Sequence, residues 1–137
     1  MKATPTYIIE DALIDKIRTI AEFKYVGSVG RDDRPAQMNY PAALVLFTGD
    51  SDSGNKPRAV RNIAFTVAVL AKNLVGRKEA LRDVYQIIDA VRDLIHGSNL
   101  DISDLGKFSC DRRAFGGYSN GIVTYILEFS VKTYLPL

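Results

Sequence analysis

Hydrophobic residues in this chain recur with two different periods, and the change from one to the other lays out the elements. In "NIAFTVAVLAKN", residues 62–73, the apolar positions alternate, so on a strand Ile63, Phe65, Val67, Val69 and Ala71 point one way. Ala64, Thr66, Ala68, Leu70 and Lys72 point the other way, which makes one face bulky and the other mostly small. Near the N-terminus the spacing is helical. Ile9, Leu13, Ile17 and Ile20, with Ala12 and Ala21 beside them, predict an amphipathic helix from about Tyr7 to Glu22, punctuated by Pro5 and Thr6. A second and longer helix is predicted in "RKEALRDVYQIIDAVRDLIHG". Its stripe is Leu81, Val84, Ile88, Val91 and Ile95, widened by Ala80, Ile87 and Leu94, with Gly97 placed as a left-handed cap.

Between these lie the remaining strands. "KYVGSV" is a short strand, "GRDDRPAQMNY" a polar connector, and "PAALVLF" an apolar run bounded by Pro41 and Gly49 that reads as a buried strand. Residues 48–60, "TGDSDSGNKPRAV", are polar and lack a period, which predicts a flexible loop between two strands. Loops of that length inside compact domains are usually functional or disordered. The C-terminal third reads as two strands joined around Ser119, Asn120 and Gly121, because Asn-Gly supplies the positive φ angles of a tight hairpin. Val123, Tyr125, Leu127, Phe129 and Val131 share one face of the last strand, and Thr124, Glu128, Ser130 and Lys132 the other. The order predicts an α+β fold: one domain over residues 1–137, a mainly antiparallel sheet with two principal helices packed on one face, and the last strand at an edge.

Composition adds mostly exclusions. The chain is 47% hydrophobic and 25% charged, the profile of a soluble globular protein, and a domain of 137 residues suffices for one core. The 18 Lys and Arg against 16 Asp and Glu leave a formal charge of +2, too little to mark duplex nucleic acid as a partner. A single cysteine, Cys110, excludes an internal disulfide and fits a reducing compartment. With one histidine, His96, no structural zinc set assembles. Glu10, Asp11, Asp15, Lys16 and Arg18 interrupt the first apolar segment, so it reads neither as a secretory leader nor as a membrane span.

Candidate chemistry is equally sparse. Gly49 and Gly54 have phosphate-loop spacing, but Asn55 stands where the lysine belongs and Pro57 follows Lys56. Asp50 and Asp52 begin like a calcium loop, yet Arg61 occupies the position of the bidentate glutamate. His96 in a helix's last turn suits the helix dipole, and Cys110 within a strand reads as a passive, partly buried thiol. In "CDRRAFGGY" the neighbouring Arg112 and Arg113 point to opposite faces of a strand, which breaks up a single-stranded nucleic-acid platform. No catalytic, cofactor-binding or metal-ligating residue is assigned, and the expectation is a protein that is not an enzyme.

Laid out whole, the chain resembles the phage tail terminator (tail completion) proteins, most of all the small ones of Mu-like contractile-tailed phages and prophages. The likeness runs through "IIEDALIDKIRTI", "PAALVLF", "FTVAVLAKN", "ALRDVYQIIDAVRDLIHG" and "GIVTYILEFSVKTYL" and is one of pattern, without a diagnostic motif. The resemblance implies a structural virion protein that forms a hexameric ring on the head-proximal end of the tail tube. Such a ring ends tube and sheath polymerisation and offers the head-attachment surface. Its implied partners are further copies of itself, the tail tube protein, the tail sheath and a neck or head-completion protein, with DNA passing through the lumen and no membrane contact. The implied location is the bacterial host cytoplasm during assembly and then the virion tail.

Two residue sets are expected to carry such contacts. One is Asp50, Ser51, Asp52, Ser53, Gly54, Asn55 and Lys56, within the loop over residues 48–60, which as a flexible segment spans about 20 Å and reaches a neighbouring subunit or a stacked ring, with these residues ordering on contact with the tube. The other is the small face Ala64, Thr66 and Ala68, which lets a second backbone approach closely, although a third layer from the same chain satisfies the pattern equally. A neck or head-completion ring protein shares the same composition. A small ligand-binding α+β domain is the remaining alternative and needs convergent polar groups in a pocket.

Overall fold

The computed structural model describes residues 4–29, 38–55, 58–72 and 77–134. Seven elements follow in order: α1 (Thr6–Ile17), β1 (Tyr25–Ser28), β2 (Ala42–Asn55), β3 (Arg58–Lys72), α2 (Arg77–Ile95), β4 (Ser109–Ser119) and β5 (Ile122–Tyr134). The strands form one sheet in the order β1-β2-β3-β5-β4. Only β1 runs parallel to its neighbour; the other three pairings are antiparallel. The fold is therefore α+β, as the periodicity predicts.

β3 forms the centre because its alternation suits a strand flanked on both sides. Ile63, Phe65, Val67, Val69 and Ala71 are buried and meet the inward residues of β2 and β5 in register, with Val67 opposite both Val45 and Leu127, and Phe65 opposite both Phe47 and Phe129. Ile9, Leu13, Ile14 and Ile17 of α1 and Val84, Ile87, Ile88, Val91 and Ile95 of α2 join the same core, so both helices lie on one face of the sheet. Of the stripe expected for α2, the side chains of Ala80 and Leu81 lie outside the described residues. Each aliphatic or aromatic side chain sealed in this layer contributes about 1.5–3 kcal/mol. α2 ends as expected on Gly97, at φ +84°. Asn120 (φ +53°) and Gly121 (φ +76°) make the two-residue turn from β4 into β5.

Three expectations are corrected. The segment read as a flexible loop over residues 48–60 is mostly strand: β2 and β3 stay paired from Phe47–Phe65 out to Asn55–Arg58, across a bulge between Phe47 and Gly49. Polar composition there reflects exposure, while the pairing is made by the backbone, and β5 supports β3 as far as Val60. The first helix stops at Ile17 and not near Glu22. Past it the chain tightens into i→i−3 bonds, Thr19 to Lys16 and Ile20 to Ile17, and the Thr19 hydroxyl also takes the Lys16 carbonyl. Finally, the last strand is interior. β5 inserts between β3 and β4, so the sheet ends at β1 and β2 on one side and at β4 on the other. Most of the polar connector expected after β1 lies outside the described residues.

Candidate functional site

On the face of the sheet away from the helices, the small positions of β3 lie where no described helix packs. Ala64, Thr66 and Ala68 are only half-buried. Thr66 is flanked by Leu46 of β2 and Glu128 of β5, and Ala68 by Leu44 and Ile126. Ala114 and Arg112 of β4 extend these two rows, with Arg112 3.8 Å from Glu128. Leu46 is an exposed leucine on this face. Close to Ala64 the bulged Gly49 and Ser130 border a shallow hollow of about 270 Å³. The result is a sheet face that no described helix covers, apolar across its middle and polar at the far end, with small side chains at its centre; Ala42 and Leu44 on it are buried, while Leu46 is exposed.

The other expected contact residues sit along one edge strand. Asp50, Ser51 and Asp52 belong to β2 and pair with Ile63, Asn62 and Arg61. The Arg61 guanidinium spans this corner, donating to Asp50 Oδ2 at 2.7 Å and to the Thr6 hydroxyl at the start of α1. Ser53, Gly54 and Asn55 continue the strand opposite Val60, Ala59 and Arg58, with side chains outside the described residues, as is Lys56 altogether. The structure thus brings Asp50–Asp52 beside Ala64 through the β2–β3 ladder, but on different sides of the sheet: Asp50 and Asp52 align with the helix-facing positions, and Ala64, Thr66 and Ala68 with the open face.

Chemistry-bearing groups elsewhere are held by structural partners. The Cys110 backbone N–H donates to His96 Nδ1 at 3.0 Å, a contact that sequence separation hides. Burial pushes the Cys110 thiol up, against the pull of Arg113 and Arg92, which disfavours a thiolate nucleophile. Arg113 donates to Asp89 of α2 at 2.7 Å, while Arg112 faces the open side, as the alternation predicts. Tyr85 and Phe115 pack edge-on against Tyr125 at 5.8 and 6.4 Å. Among the described residues no His, Cys, Asp and Glu group could hold a metal ion, and no helix is long and apolar enough to cross a membrane.

Asp104 was invisible to motif reading because its partners are remote. Its carboxylate accepts the Thr4 backbone N–H at 2.8 Å, the Thr4 hydroxyl, and the Thr133 hydroxyl at 3.3 Å, tying the chain start to β5. Burial alone would raise its pKa, but the Thr4 and Thr133 hydrogen bonds outweigh it and hold the carboxyl below its ordinary value. A depressed carboxylate pKa stabilises the fold above the unfolded-state value and loses that contribution as pH falls through the folded one. Asp104→Asn is therefore expected to lower stability by about 1 kcal/mol at pH 7, discounted for partial exposure. Urea unfolding at pH 7 and pH 3 should show the gap between variant and wild type narrowing in acid.

No protein-family model and no curated protein matches the sequence. Solved structures do. Over 92% of this chain and 94% of the other, the fold superposes with a TM-score of 0.64 at 17% identity on a chain of a virion particle. That particle is described as the virion of a native gene transfer agent (GTA).

Proposed function

We propose that this protein is a structural, non-catalytic virion component of the tail-terminator kind. Its copies assemble as a ring of six on the head-proximal end of a tail tube, stop growth of the tube and of any sheath, and present the surface to which the filled head attaches. The observation that carries the reading is the nearly end-to-end likeness of fold to a chain of a virion particle, with no large insertion in either. The sheet face away from the helices supports it, because a half-buried apolar patch centred on small residues, with Leu46 exposed and no described helix over it, suits close packing with another protein. The reading assigns Ala64, Thr66 and Ala68 to such a contact in the assembly, the β2 edge at Asp50–Asp52 to subunit or tube contact, and DNA to the lumen.

Light scattering of the purified protein over a concentration series, with negative-stain images of the heaviest species, tests the ring. Adding the protein to growing tubes of the cognate tail tube protein tests the cap. The expected outcome is a closed six-membered ring that sits on one tube end and halts elongation there. A monomer that leaves tube length unchanged overturns the reading. A ring that ignores tubes and binds head-side components moves it to a neck protein.

A further inference from the structure

Among the described residues, both margins of the sheet end in backbone without a strand partner. β1 pairs with β2 only over Ala42–Val45, and Val29 adds a single bond to the Val45 carbonyl. From Leu46 to Asn55 the outer edge of β2 therefore has no strand partner among the described residues. At the opposite margin β4 has no strand partner other than β5 among the described residues; the Cys110 N–H near its start is taken up by His96, which leaves the outer edge without a strand partner from Asp111 to Ser119. An exposed edge of this length is a template for another strand.

The two edges match in charge, face and direction. The open part of β2 carries Asp52 and the Arg61-bound Asp50 with no cation of its own, whereas β4 carries Arg112, beside Glu128, and Arg113, which also donates to Asp89 from a partly exposed position, next to Asp111. Asp52 aligns with Arg61, and Arg113 with Leu127, which puts both on the helix side of the sheet. Each step from β2 to β3, β5 and β4 is antiparallel, so β4 runs opposite to β2. A rotation about an axis along the strands preserves their directions, so β4 of one copy meets β2 of the next antiparallel, like every long ladder in the chain.

Resting on the ring reading, we infer that neighbouring copies join by antiparallel pairing of β4 of one copy with Leu46–Asn55 of the next, placing Arg113 of the first against Asp52 of the second. Antiparallel pairing supplies about one backbone hydrogen bond per residue pair. The contact is head-to-tail, so repeating it closes a ring in which neither open edge remains. It also leaves the Ala64–Thr66–Ala68 face available for a different partner.

Asp52→Lys and Arg113→Asp test the pairing in the full chain. Each variant alone is expected to fold, by circular dichroism, yet to stay monomeric at concentrations where the wild type is a ring. An equimolar mixture should restore the ring, because each reversed β2 edge then meets a reversed β4 edge and the alternate contacts remain as in the wild type. Either variant assembling normally, or a mixture that stays monomeric, overturns the inference. Amide hydrogen exchange on the wild type gives a readout that does not depend on how the variants fold. Slowed exchange over residues 46–55 and 109–119 in the ring, relative to the dissociated chain, is expected; unchanged exchange in an intact ring, or slowing only when tube protein is added, overturns this pairing while the ring reading stands. A wild type that never forms rings, alone or on tubes, overturns both.

Discussion

Phe65→Ala is expected to lower unfolding free energy by about 3–5 kcal/mol. Phe65 is fully buried at the middle of the central strand. It packs edge-on against Phe47 at 5.9 Å, lies 6.3 Å from Phe108, and sits opposite Phe129 on β5. Removing the ring opens a cavity under the helix layer at the middle of the sheet, and a strand fixed by neighbours on both sides cannot collapse to fill it. Against a total stability of about 5–15 kcal/mol for a domain, the loss is severe. A urea titration by circular dichroism measures it. Phe65→Leu, which keeps much of the volume, should cost clearly less; equal losses for the two would mean that the aromatic cluster does not organise the core.

The second large effect is on assembly. Ala68 is half-buried on the face away from the helices, between Leu44 and Ile126, so the long side chain of Ala68→Arg can extend toward solvent without entering the core. Stability should change by no more than about 0.5 kcal/mol. A packed contact on that face, however, would have to accept a long charged side chain. Overpacking of this kind costs about 1–3 kcal/mol, which weakens association roughly ten- to a hundredfold per contact. Titrating the variant into growing tubes, with light scattering in parallel, reads the effect. Tube capping lost with rings intact locates the face against the tube or a stacked ring, and loss of the ring locates it between subunits. Wild-type behaviour in both assays would remove this face from the assembly.

Much of this was legible in the chain. Strict alternation along residues 62–72 and 122–131 marked β3 and β5 and their buried sides, because a strand between two neighbours and under one layer of helices has no other way to place its bulky groups. Asn120 and Gly121 announced their own turn, and the stripe from Val84 to Ile95 announced α2. The small face was visible as a list of residues, but that both described helices pack on the opposite face was not. Residues 48–60 misled because side-chain polarity tracks exposure and carries no record of backbone pairing.

Local periodicity, a property of neighbours in sequence, by itself determined which residues are inward, where the long elements lie and that the class is α+β. Tertiary structure alone decided that β5 lies inside the sheet and β4 at its margin, that among the described residues β2 beyond Val45 and β4 lack a strand partner on opposite sides of the sheet, and that Asp104 meets Thr4 and Cys110 meets His96. The physical reason is the same in each case. Strand order and remote hydrogen bonds are set by pairing between segments far apart in the chain, whose partners are chosen by the free energy of the whole packed sheet, and no local spacing encodes that choice.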